Sequence, residues 1–175
     1  MKIFLSLVFI LLMSAAVFAQ SDKKQKEIIA ECDEAKQGFL DTDKGMGGFF
    51  SSCYGYVMFP NVGKGGLGVG GASGNGVVYQ QGQMVGMAKL TQVSIGFQAG
   101  GQSFREVIFF EHKAEFDRFK ENKVEFAAQV SAVAAAAGVS ADAKYVEGVA
   151  VFTMAKGGLM YQASVGGQKF KFEPF

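Results

Sequence analysis

The chain has 175 residues, 49% of them hydrophobic, and 17 basic side chains against 16 acidic ones give a formal charge of +1. That length suits one domain with a real core, and so balanced a chain exerts no global pull on nucleic acid, which is therefore not an expected partner. One histidine and two separated cysteines do not make an ordinary zinc site, so no metal and no cofactor is expected.

The N-terminus opens with Lys2, an apolar stretch from Ile3 to Met13 and small residues ending at Val17-Phe18-Ala19, the layout of a secretory signal peptide. The apolar stretch is shorter than the roughly 20 residues that span a bilayer. Cleavage after Ala19 is the expectation, leaving one domain over residues 20–175, secreted and periplasmic or associated with the cell envelope. No Cys follows the apolar core, so a lipoprotein anchor is not indicated.

Ser21 can cap a helix whose apolar stripe is Ile28, Cys32, Ala35 and Phe39, weakened at Gly38. Residues 41–48, with Gly45, Gly47 and Gly48, read as loop, and a short helical turn is expected near Phe49 to Cys53. Strands follow. Tyr56-Val57-Met58-Phe59 is a β-prone run that Pro60 should close. Val77-Val78-Tyr79 and Met84 to Met87 flank Gln81-Gly82 as a hairpin. Leu90 to Phe97 and Phe104 to Phe110 are further strands. Lys113 to Lys120, with Phe116 and Phe119 among charges, is a short amphipathic helix. Residues 126–141 are ambiguous: Ala134 to Ala137 favour helix by propensity, yet the surrounding strands tip the reading to strand. Val149 to Met154, Leu159 to Val165 and Gln168 to Phe172 read as an antiparallel meander whose alternation at Lys169-Phe170-Lys171-Phe172 marks a wet outer face.

Of the 24 glycines, 18 fall between Gly38 and Gly101. Such crowding suits strands that bend and approach closely, so the expected fold is α+β: a Gly-rich antiparallel β-barrel or closed sheet, with the N-terminal helix and one short inserted helix packed on it.

Several motifs fail on context. Gly66-Leu67-Gly68-Val69-Gly70-Gly71 has dinucleotide-fingerprint spacing but no following helix and no acidic residue near position 91, and Gly63-Lys64 is followed by Gly65 instead of the Ser or Thr of a P-loop. Gly66, Gly70 and Gly74 repeat at the spacing of membrane-helix dimers, but Lys64, Ser73 and Asn75 interrupt the apolar length required. Ser94 lacks the first Gly of a nucleophile elbow, and His112 sits at the charged start of a surface helix. From Tyr54 to Phe104 there is no carboxylate in 51 residues, which leaves general acid–base chemistry without a carboxylate there. The chain is read as no enzyme.

The two charges in that stretch, Lys64 and Lys89, are the candidate site. Each is a lone cation among apolar and glycine residues, where the backbone of Gly65, Gly66, Gly70 and Gly71 could join an ammonium in holding a phosphate or carboxylate head group. The competing reading is two lysines reaching water from strand ends. Cys32 and Cys53, in an oxidising compartment, could pair and close a loop of about 20 residues worth roughly 3 kcal/mol; equally, they could be two small buried thiols on unrelated faces.

The series Phe59-Pro60, Lys64-Gly65-Gly66, Gly70-Gly71, Gly74-Asn75-Gly76-Val77, then Ser94, Gly96, Gln98, Gly100 and Gly101 resembles the SYLF domain over about Glu27 to Gly167. The resemblance implies a non-enzymatic module that binds membrane lipids, phosphoinositides in eukaryotic members, some of which also bind actin filaments. The chain departs from the pattern in two ways. Lys23, Lys24, Lys26 and Lys36 are outnumbered by acidic residues where eukaryotic members carry a basic helix, and Gln162 stands where the family usually has Gly. The expected function is binding of a phospholipid or phosphoinositide-like head group by a membrane-associated protein that can self-associate. Actin is not an expected partner of a chain directed out of the cell. The alternative is an envelope structural or protein-interaction module without lipid affinity.

Overall fold

The computed structural model describes residues 2–67, 69–95, 102–124, 132–156 and 167–175. Helix α1 (Lys2–Thr42) leads into α2 (Met46–Ser52). Seven strands follow, β1 (Gly55–Leu67), β2 (Val69–Gln80), β3 (Gln83–Ile95), β4 (Gln102–Phe110), β5 (Val133–Ala134), β6 (Val149–Ala155) and β7 (Gln168–Pro174), with α3 (Lys113–Lys120) after β4. They form one sheet in the order β5-β6-β4-β1-β2-β3-β7, antiparallel except for β5 beside β6.

Alternation along the strands gives the sheet two buried faces, each with its own helices. On one face, Tyr56, Met58, Val77, Tyr79, Val107, Phe109 and Phe152 pack beneath Cys32, Ala35 and Phe39 of α1 and Met46 of α2. The stripe expected on the first helix is thus the stripe that is buried, with Ile28 half-covered at its outer end. On the other face, Val57, Phe59, Val62, Leu90, Phe104, Ile108 and Phe110 pack against Phe116 and Phe119 of α3 and against Phe170 of β7. Each of these large side chains contributes about 1.5–3 kcal/mol by leaving water.

The α+β class holds, but the expected barrel does not: β5 and β7 are the two ends of an open sheet. Strong curvature is nevertheless present. The side chain of Gln168 on β7 reaches Glu106 on β4 across three intervening strands, and the Phe170 ring lies 6.0 Å from Phe59 and 5.5 Å from Phe119. Among the described residues no ladder joins the ends; α3 and its two phenylalanines sit within the concavity instead.

Other expectations are corrected. Pro60 does not end β1, because a bulge between Met58 and Asn61 takes the residue without an amide hydrogen out of the ladder, so the strand continues on both sides. Gly76 lies opposite that bulge, and a Cβ there would stand 2.2 Å from the Met58 carbonyl oxygen. The C-terminal strands form no meander, since β6 pairs with β4 and β7 with β3 at opposite ends of the sheet. The strand leaning for 126–141 is met only by Val133–Ala134; a 3-10 turn follows at Val139–Ala141, and 125–131 lie outside the described residues, as does the strand expected from Leu159 to Val165. The Gln81-Gly82 turn is present, with φ of 49° and 80° as a tight hairpin turn requires.

Candidate functional site

Lys64 and Lys89 do not meet. In the ladder Lys64 pairs with Ala72, which pairs with Gln92, whereas Asn61 pairs with Asn75, which pairs with Lys89. These two rows are three residues apart on each strand, an odd number, so they face opposite sides of the sheet. Lys64 lies in the row of Val62 and Ala72 on the α3 side, and Lys89 lies on the α1 side. The glycines sought beside Lys64 are ladder residues, Gly65 opposite Gly71 and Gly66 opposite Gly70, so their backbone groups serve the hairpin.

On the α1 side, Lys89 belongs to a groove. The outer turns of α1 overhang β1, β2 and β3 and leave a hollow of about 320 Å³ bounded by Lys24, Ile28, Asn61, Asn75 and Lys89. A second hollow of about 360 Å³ shares Lys24, Ile28, Asn75 and Lys89 and continues over Met87, Lys171 and Phe175. The walls are built by cross-strand pairing: Asn75 opposes Lys89, and Lys89 opposes Lys171. Like charges directly opposite on a sheet destabilise it unless a counter-charge is near. Glu173 is that counter-charge, 2.7 Å from the Lys171 ammonium. Its carboxyl is held below the usual range first by that hydrogen bond and more weakly by the Lys89 charge. On the helix wall the amide of Asn61 donates to Glu31 at 2.9 Å and its oxygen accepts from Lys156.

The α3 side holds a different polar group. Glu106 is fully buried in the row between Phe104 and Ile108, and its Oε2 accepts from Gln168 Nε2 at 3.0 Å. Thr153, also fully buried, is its direct cross-strand neighbour. Among the described residues Glu106 Oε1, Gln168 Oε1 and Thr153 Oγ1 have no partner. Burial pushes the Glu106 carboxyl up to about 8, with the Gln168 bond opposing the shift, so the acid is neutral at pH 7. Sequence reasoning missed this group, although strict alternation from Phe104 to Phe110 places Glu106 on the same face as three buried apolar residues.

Cys32 and Cys53 are free. The Cys32 thiol donates to the Met58 carbonyl at 3.3 Å, and burial pushes it up to about 12; the Cys53 thiol points to Phe50 O at 3.9 Å and is pushed up to about 11 by burial. These are packed thiols and not nucleophiles. His112 is exposed at the start of α3, next to Glu111, and the side chain of Ser94 lies outside the described residues.

Residues 91–173 match the profile of a family described as Ysc84, Las17-binding protein actin regulator. The chain is also similar to Beta cell expansion factor A of Aeromonas veronii, 31% identical over 123 residues that make up 69% of this chain and 46% of that protein. It spans about half the length of that relative.

Proposed function

Because this chain belongs to the SYLF (Ysc84) family, we propose that it is a non-enzymatic domain that binds membrane phospholipid through the α1 side of its sheet. The observation that carries the reading is the groove under α1, where Lys89 and Lys171 stand beside amide side chains and an apolar rim of Ile28, Met87 and Phe175. A charged head and a greasy tail need those two surfaces side by side. Lys64, on the opposite face, is not part of this site. The signal-peptide layout of residues 1–19 supports a location in the cell envelope, and for that reason the actin regulation in the family's description is not carried over to this chain.

The alternative, a protein-interaction module that adds a partner strand to an open edge, is less well supported. The β7 edge carries Lys169, Lys171, Glu173 and Pro174, the charges and proline that discourage strand addition. Co-sedimentation of the purified protein with vesicles of envelope phospholipids tests the reading. Binding that Lys89→Glu weakens and Lys64→Glu leaves intact supports it; a protein that stays in the supernatant with every vesicle does not bind lipid.

A further inference from the structure

The charges around the groove are sorted by wall. On the sheet wall Lys89 and Lys171 flank Glu173, which lies 2.7 Å from the Lys171 ammonium. On the helix wall the hollow is lined by the carboxylates Glu27 and Glu31 beside Lys24. Both cavities include Lys24 from the helix and Lys89 from the sheet, so the two walls border the same space. Glu31 accepts from the Asn61 amide at 2.9 Å, and Glu27 lies 3.9 Å from the Lys23 ammonium, a long exposed pair that an incoming cation can replace.

Resting on the lipid-binding reading above, we propose that this groove selects a zwitterionic aminophospholipid, its phosphate diester on Lys89 and Lys171 and its primary ammonium against Glu27 and Glu31. A purely anionic head group meets the sheet wall well but sets its second polar end against the helix carboxylates. A quaternary ammonium satisfies the charge but has no N–H to donate to them. The apolar rim of Ile28, Met87 and Phe175 then receives the first carbons of an acyl chain where it leaves the head group; Phe175 is 60% exposed, as a lip awaiting a covering group would be.

The test is binding of the full protein to vesicles doped with phosphatidylethanolamine, phosphatidylcholine or phosphatidylglycerol in a common neutral matrix. The proposal expects phosphatidylethanolamine to bind best, by about fivefold or more, the size of one charge-assisted contact. It expects Lys89→Ala/Lys171→Ala to lose that binding and Glu27→Lys/Glu31→Lys to turn the preference to phosphatidylglycerol. Lys64→Ala, on the other face, serves as the unaffected control. Should a groove variant fail to fold by circular dichroism, competition by soluble glycerophosphoethanolamine against the wild-type protein gives the same answer. Equal binding to all three lipids with no effect of the groove variants or the competitor overturns the head-group assignment and leaves lipid binding standing. Absence of binding to every vesicle overturns both.

Discussion

Glu106→Gln is the substitution whose consequence is most directly worked from the structure. In the native protein the carboxyl is buried beside Thr153 and Gln168 and is held up to about 8, whereas in the unfolded chain it titrates near its ordinary 4.5. Between those two values the native state keeps a proton that the unfolded state has lost. The contribution of this group to stability is therefore full below pH 4.5, falls as pH rises, and levels off above about 8. At 1.36 kcal/mol per pH unit the loss is on the order of 5 kcal/mol, comparable to the whole stability of many domains. Glutamine cannot ionise, accepts the same bond from Gln168, and adds N–H donors beside the unpartnered Gln168 and Thr153 oxygens. Urea unfolding followed by far-UV circular dichroism, suitable for a chain with no tryptophan, should give similar midpoints for the two proteins at pH 4.5 and a clear advantage for Glu106→Gln at pH 8. Their difference isolates this one group. Parallel profiles from pH 4.5 to 8 would show that Glu106 is ionised in the fold and that the reasoning about its burial is wrong.

Gly76→Ala should lower the unfolding free energy by about 2 kcal/mol or more, because its Cβ would meet the Met58 carbonyl oxygen, while Gly65→Ala, with nothing within 4 Å, should change it by less than about 0.5 kcal/mol; thermal melts compare the two. Asp43 accepts backbone N–H bonds from Ser140 at 2.7 Å and Gly45 at 2.9 Å, and the Ser140 bond chiefly holds its carboxyl below the ordinary range. Asp43→Ala should lower the melting temperature at pH 7, and the wild-type advantage should fade as pH drops below 3.8 and the carboxylate is progressively lost. With free thiols raised to about 12 and 11, buried Cys32 should label with iodoacetamide only after denaturation, half-buried Cys53 should label slowly in the native protein, and dithiothreitol should leave the melting temperature unchanged. A melt lowered by reductant would mean that the two sulfurs are bridged.

Much of the architecture was legible because it rests on short-range periodicity. Phe116 and Phe119 among charges mark α3 to its ends, the Ile28 to Phe39 stripe marks the buried side of α1, and Gln81-Gly82 marks the hairpin. What was not legible depends on pairing. Whether Lys64 and Lys89 share a face turns on the register between strands, and a bulge at Pro60 resets the parity of β1 before Lys64 is reached. Sheet closure failed for a related reason: glycines supply curvature, but closure also needs complementary edges, and here β5 has two residues while α3 occupies the concave side. The order of β6 and β7 likewise follows from the aromatic match of β6 with β4, where Phe109 packs on Phe152, and not from their neighbourhood in the chain. The groove residues Asn61, Asn75 and Lys171 carry no motif of their own, since three strands and a helix must meet before they share a wall.

Native mass spectrometry of the protein purified gently from envelope fractions tests the lipid-binding reading without an added ligand. A lipid site under α1 predicts a fraction carrying one phospholipid mass, abolished by Lys89→Glu and retained by Lys64→Glu. A protein that comes off the envelope free of lipid, or that keeps the same adduct in both variants, contradicts a lipid site under α1.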